Sequence, residues 1–547
     1  MLVQKAMPPK NRVYLKDWYF NAGIIGFLTI VADNRKIDSI PSLIIEKNYF
    51  EFDNTVLDGF EEKFIKKGFL KFFDVQKYVN RLQKIYGDLA SKKTRTKSDS
   101  ITKKIEEIEK KPYKDFLKLL NLSITEYQDI DKFLANLENI KKTIESLSKE
   151  QVYNKLNSTA DGRIFLDEFV KFTLKGICSS KSISDYITQI KTATSKKPKN
   201  NDLCLSCQER KATGLFNNAI SNIIGFNKRN ANWIWGYKTS KLKVCPMCAL
   251  IYNCAFASFA YTLRKVGKKY LNYFYFPNEN TDLIVLFEIV TRFNLELENI
   301  KDNTNPLYIM IKQLVSRIMA EQLKKINENL NFIEIVDNPI LAGQSSKGYN
   351  VYNYNIDTDI AEFLDSQFKS DGVPKGFYKL PHYDTYYKVD EELLKLSIQR
   401  QIDYSILHRY FAYALNPGKY KTGYSLSKIV RFVFGYIKKM RGDTMEKSEN
   451  IIIKGFASGV SVRDKLVKKD KENQINGLVY GFLNDLKIAD REKFLDKYIR
   501  VVMSHNLPNL FGKEEMLDKD CFLQFGYSFV NGLMSHKGTD KTKNNNE

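Results

Sequence analysis

CLSCQERKATGLFNNAISNIIGFNKRNANWIWGYKTSKLKVCPMC, residues 204–248, opens and closes on a CxxC pair and holds four of the chain's seven cysteines. A thiolate at each end of a tight CxxC turn can grip one tetrahedral ion. Two such turns, Cys204 with Cys207 and Cys245 with Cys248, fill all four positions with the sulfur donors zinc favours. The expected site is therefore a closed, structural Zn2+ site. Disulfides are the competing reading, but nothing else in the chain resembles a secreted disulfide scaffold. The 37 residues between the pairs exceed the linker of a minimal zinc ribbon and should carry structure of their own.

Working outward, Cys248 runs into an apolar stretch. Residues 244–263 are long enough to span a bilayer, but they contain Pro246, Asn253 and Ser258, so a buried helix leaving the metal site is the better reading. Residues 18–31, WYFNAGIIGFLTIV, are too short to cross. Within them Ala22, Gly23 and Gly26 put small side chains on one side of a helix, which permits close backbone packing. Met1 to Asp17 lack the pattern of a signal peptide, so cytoplasmic residence and no membrane partner are expected.

The chain has 547 residues, enough for more than one domain, and 43% hydrophobic content with 13% aromatics argues against general disorder. Its 86 Lys and Arg against 64 Asp and Glu give a net charge of +22, which favours a polyanionic partner, nucleic acid by default. A coding bias toward Lys, Asn and Ile would make every surface basic as well.

The pattern predicts a predominantly helical α+β fold. A mixed N-terminal body, 1–387, contains the four-cysteine zinc module at 200–250, inserted in it; a C-terminal helical bundle follows at 388–535, and the tail 536–547 reads as disordered. Leu43 to Ile45 and Tyr49 to Phe52 read as a hairpin, and Tyr270 to Phe276 and Tyr349 to Tyr354 as strands. Helical spacing dominates 58–195 and recurs in 281–328. In the bundle, apolar stripes run from Tyr404 to Leu415, from Leu426 to Ile437, from Ile475 to Leu486, and from Phe494 to Val502 behind Asp490 as N-cap. Exposed basic loops are expected at 91–104 and 191–200.

Catalytic signatures are absent: there is no GxxxxGK[ST], GxGxxG or HExxH. His382, His408, His505 and His536 are scattered, and Cys178, Cys254 and Cys521 read as ordinary buried thiols. Carboxylates assembled from distant positions would leave no mark, so a metal-dependent nuclease stays open as an alternative. So does a free-standing zinc-containing nucleic-acid-binding regulator. Binding signatures are plainer. Phe226 to Lys238 interleaves cations, amides and aromatics suited to phosphates, base edges and unpaired bases, although Trp233 and Trp235 could equally fill the core of a small metal module. Candidate contacts are Lys92, Lys93, Arg95, Lys196, Lys197, Lys228, Arg229, Asn230 and Lys238. In the bundle Arg463, Lys465, Lys468 and Lys469 make a basic run suited to tracking a backbone.

Asp17-Trp18 followed by Asn21 to Gly26, two CxxC pairs with a long intervening loop, and a helical C-terminal part together resemble the CXXC-CXXC family of CRISPR-associated proteins, the large subunits of the type I-B surveillance complex (Cascade). The resemblance runs in order along essentially the whole chain, with the CxxC pairs its specific part. It implies a non-catalytic subunit that sits at the end of a CRISPR RNA complex near the RNA's 5′ handle, beside the backbone and small subunits. Such a subunit recognises the protospacer-adjacent motif in double-stranded target DNA, aids unwinding, lays its C-terminal bundle along the displaced single strand to stabilise the R-loop, and recruits a separate helicase-nuclease. In relatives the bundle can also be made separately from an internal start, for which Met440 and Met445 are the candidates here.

Overall fold

The computed structural model describes residues 11–73, 135, 138–139, 142–143, 145–174, 183–193, 203–215, 243–266, 269–279, 282–299, 306–320, 328–336, 348–381, 386–417, 419–442 and 445–535. The fold is predominantly helical with small sheets, an α+β arrangement. Two compact units divide it. The first comprises 1–262, 272–294 and 332–352; the second comprises 263–271, 295–331 and 353–547.

At the centre of the first unit lie two helices, α1 (Trp18–Ala32) and a later one, Pro246–Ser258, that leaves the second CxxC pair. Asp17 caps α1 by accepting from the Tyr19 and Phe20 amides at 3.0 and 3.1 Å, and Asp33 ends it in the left-handed region. Every α1 residue except Trp18 and Thr29 is buried. Polar Asn21 survives in this setting because its amide is fully used: Oδ1 accepts from the Lys16 amide at 2.7 Å, and Nδ2 donates to Lys16 O and Asn278 Oδ1, both at 3.1 Å.

Glycine sets the approach of the two helices. A Cβ on Gly23 would stand 2.4 Å from Ile251 O, and one on Gly26 would stand 1.9 Å from Cys254 O. Backbone meets backbone at both points, so no side-chain adjustment could make room. The small residues expected to permit close packing do so against the helix from the metal site.

Strand β1 (Asn11–Tyr14) was not foreseen. It joins the expected hairpin of β2 (Leu43–Ile45) and β3 (Tyr49–Phe52) in a sheet ordered β1-β3-β2, with Leu43 opposite Phe52 and Ile45 opposite Phe50. Phe50 and Phe52 pack on Phe27 of α1 at 5.6 and 5.2 Å between ring centroids. Helices α2 (Phe60–Phe72), α3 (Lys149–Asn157), α4 (Ala160–Thr173) and α5 (Ile183–Lys191) complete the surround, with Phe69 of α2 and Phe73 just past its end against Phe169 of α4. The helix Pro246–Ser258 is thus α6. Its residues 247–258 are all buried, which explains its membrane-like hydropathy without a membrane. Among the described residues no helix is long and apolar enough to cross one.

After β4 (Gly214–Leu215) and β5 (Lys243–Val244), strands β6 (Ala260–Val266), β7 (Lys269–Asn278), β8 (Glu328–Val336) and β9 (Gly348–Ile356) form a sheet in sequence order, and α7 (Leu283–Asn299) and α8 (Pro306–Ala320) fall between them in the chain. The expected strands at 270–276 and 349–354 lie inside β7 and β9.

The boundary expected at residue 388 falls within the second unit. Helix α9 (Thr358–Lys369) packs on α12 (Leu426–Arg441) through Phe363, whose ring meets Phe432 and Tyr436 at 5.2 and 5.4 Å, so 353–387 belong with the C-terminal helices. Between them stand the antiparallel sheet of β10 (Gly376–Lys379), β11 (Tyr386–Lys388) and β12 (Lys421–Tyr424), and helices α10 (Val389–Ile398) and α11 (Tyr404–Leu415). Helices α13 (Met445–Lys468), α14 (Ile475–Ile488), α15 (Arg491–Ser504), α16 (Lys513–Leu517) and α17 (Lys519–Met534) follow. Asp490 caps α15 as read from the sequence, accepting from the Lys493 amide at 3.1 Å.

The closest packing in this unit, α13 on α17, lies outside the stripes read from the sequence. A Cβ on Gly455 would stand 2.5 Å from Phe525 O, one on Gly459 2.1 Å from Phe529 O, and one on Gly532 2.3 Å from Phe456 O. Paired contacts advancing together, 455 with 525 and 459 with 529, mean that the two helices run parallel.

Candidate metal centre

Each half of the site is made locally. In the first, Cys204 donates its amide to Arg210 O at 2.9 Å and accepts from the Gln208 amide at 2.9 Å, with Gln208 in the left-handed region at φ 56°. That turn aims the Arg210 amide at Cys207 Sγ, 3.4 Å away. In the second, Cys245 is the N-cap of α6 with Pro246 behind it at the first helical position, and its sulfur accepts from the Cys248 amide at 3.4 Å. Two sulfurs therefore sit at the positive end of a helix, which favours thiolate.

Short backbone bonds tie the halves together. The Leu205 amide donates to Lys243 O at 2.9 Å, Leu203 bridges Lys211, and β4 pairs with β5 so that Gly214 faces Val244 and Leu215 faces Lys243. The result brings all four expected ligands together. Their sulfurs lie within 4.8 Å of one another, with Cys207 and Cys245 at 3.9 Å. Four thiolates at about 2.3 Å around a tetrahedral zinc stand about 3.8 Å apart, so spacing and donor chemistry both fit such an ion. Cys204, Cys245 and Cys248 are buried, Cys207 partly so, and Cys254 stands outside the cluster.

Hydrogen bonds among the four sulfurs pull in opposite directions. Hydrogen bonds from Cys204, Cys245 and Cys248 hold the Cys207 thiol far below its ordinary value. At Cys204 the bond with Cys207 pulls upward, those with Cys245 and Cys248 pull downward, and the balance falls to about 6. Cys245 and Cys248, acting as donors toward Cys204 and Cys207, are pushed up. A divalent ion lets all four ionise, leaving a net charge of about −2. With four protein ligands the set is closed, and the chemistry such an ion supplies is structural.

Residues that sequence reading missed fasten the centre to the core. Lys16 Nζ donates to Ser206 O at 2.6 Å and lies 4.5 Å from the centre of the Phe20 ring. Arg210 donates to Arg12 O in β1 at 2.5 Å. The Tyr252 hydroxyl is 3.4 Å from Ser206 Oγ, its ring packs on Tyr19 and Phe20, and burial followed by the charge of Asp17 pushes its pKa up. Cys204, Cys245 and Cys248 belong to the hydrophobic core of the first unit, and Cys207 packs against it. No local signal marks Lys16 or Tyr252, because their role depends on the contact of α1 with α6.

Of the expected nucleic-acid contacts, Lys92, Lys93, Arg95, Lys196, Lys197, Lys228, Arg229, Asn230 and Lys238 lie outside the described residues, as do the loop 91–104, most of 191–200, Trp233, Trp235 and the tail. Lys465 is half-buried and Lys468 and Lys469 are exposed. Arg463 is the exception in this run. It is only 8% exposed and shares the packed face of α13 with Gly459, Val462 and Leu466, so it cannot present its length to a backbone as the lysines do. No protein-family model matches the chain, and no curated protein matches its sequence.

Proposed function

We propose that this chain is the non-catalytic large subunit of a type I-B CRISPR RNA-guided DNA surveillance complex, with a structural zinc ion held by Cys204, Cys207, Cys245 and Cys248. In this reading it works in the cytoplasm beside the other Cascade subunits and the CRISPR RNA. It recognises the protospacer-adjacent motif in duplex DNA, aids unwinding, stabilises the displaced strand and recruits a helicase-nuclease.

One observation carries the reading. The two features behind the family resemblance, the stretch Asn21 to Gly26 and the second CxxC pair, lie on helices packed backbone to backbone in one core. A net charge of +22 supports a polyanionic partner, and a closed four-thiolate set suits a scaffold better than bond breaking. Delegating long-sequence reading to a guide and the short motif to protein follows the logic of guided recognition in other effectors.

The test is strand opening. A complex reconstituted with this chain should make thymines in a matched, motif-bearing duplex reactive to permanganate, and one reconstituted without it should not. Equal reactivity in both would remove the proposed role.

A further inference from the structure

The sheet β11-β10-β12 has two unlike faces. Its inner face is locked: Tyr378 is buried and donates its hydroxyl to Glu392 Oε2 at 3.0 Å, while Tyr410 donates to the same oxygen at 2.7 Å and Arg409 to Oε1 at 2.5 Å. Tyr424 ties β12 to α11 by donating to Tyr410 O at 2.7 Å. This side fixes the sheet rigidly.

The outer face follows from the register. Phe377 lies opposite Lys388 on one side and Gly423 on the other, and Lys379 lies opposite Tyr386 and Lys421. Directly opposed residues share a face, so these six positions form two rows across three strands, a surface about 10 Å wide. Phe377 is 42% and Tyr386 52% exposed, large values for rings on a folded sheet. Their centroids are 5.3 Å apart, and Lys379 Nζ lies 5.8 Å from the Tyr386 ring. Gly423 keeps the rows flat beside Phe377, whose ring a Cβ there would meet at 2.7 Å. The six positions hold three lysines, two aromatics and no carboxylate.

We propose that this face binds a single-stranded nucleic acid, its lysines neutralising phosphates and the Phe377 and Tyr386 rings stacking on unpaired bases. A duplex keeps its bases stacked internally and cannot use such rings, whereas a single strand can. Occupancy by a single strand rests on this face alone; that the strand is the displaced one in target DNA rests on the reading above.

Fluorescence anisotropy with labelled oligo(dT) and oligo(U), against a duplex control, tests the full-length chain. Phe377→Ala and Tyr386→Ala should each weaken single-strand binding about tenfold with duplex binding unchanged, and Tyr386→Phe should keep wild-type affinity because stacking needs only the ring. Lys379→Gln, Lys388→Gln and Lys421→Gln together should flatten the log-affinity against log-salt slope by about 2. The Phe377–Tyr386 ring contact contributes to the sheet, so a melting curve accompanies each variant and binding is compared at a temperature where every variant is folded, separating lost binding from lost folding. Tighter binding of oligo(dT) assigns the face to DNA, and tighter binding of oligo(U) assigns it to RNA. Wild-type protein that binds neither strand, alanine variants that bind like wild type, or a Tyr386→Phe loss equal to that of Tyr386→Ala would overturn the inference. None of these readouts depends on complex assembly, so failure here and failure of the proposed function remain separate results.

Discussion

Replacing Gly26 with alanine places one methyl group where α1 meets α6, 1.9 Å from the Cys254 carbonyl oxygen and roughly 1.5 Å inside ordinary contact. The neighbour is backbone within a buried helix, so the conflict is relieved only by separating the helices. Overpacking of this kind costs about 1–3 kcal/mol, and a shift of α6 also moves Cys245 and Cys248 at its N-terminus. Gly477→Ala is the matched control. Gly477 sits in helix α14 with nothing within 4 Å of a new Cβ, and the same change there should stabilise by up to about 1 kcal/mol through helix propensity. The assay is thermal melting of the zinc-loaded protein together with the rate of zinc release to a chromogenic chelator. Gly26→Ala should lower the melting temperature of the first unit by about 2–5 °C and hasten release, while Gly477→Ala should do neither. A Gly26→Ala protein that melts and releases zinc like wild type would refute the backbone contact and the coupling of core to metal site.

Two further outcomes follow from the same structure. Cys207→Ser or Cys245→Ser should abolish stoichiometric zinc measured by plasma emission and destabilise the first unit, whereas Cys254→Ser should retain the metal; unchanged zinc in the first two would remove them as ligands. Burial first, then the charges of Lys469, Lys471 and Lys465, holds His505 below its ordinary value, so the unfolded chain binds the extra proton as pH falls below about 6.5. Stability from this group is therefore complete above that pH and is lost as pH falls toward the folded value. Urea melts of His505→Gln should show a shallower loss between pH 7.5 and 5.5 than wild type, and parallel curves would contradict the assignment.

What could be read in the sequence was whatever is decided within a few residues. The CxxC spacing, the hairpin at 43–52, the Asp490 cap and the helix after Cys248 all depend on neighbours in the chain, and all appear in the structure. Packing partners were not legible. Nothing at Gly23 or Gly26 names Ile251 or Cys254, and nothing at Gly455, Gly459 and Gly532 names the helix each approaches in the α13–α17 contact. The β10–β12 sheet was hidden because its strands are three or four residues long and lie among strong helical signals. Arg463 shows the limit of reading a basic run by composition, since helical register turns it inward while Lys468 and Lys469 face solvent.

The most direct measurement is co-purification. Expressed with the products of its neighbouring genes and isolated through a tag on one of them, this chain should elute in a complex that contains a discrete RNA, with one zinc ion per copy of the chain. A chain that elutes alone, free of RNA, under the conditions in which its neighbours assemble would contradict the account.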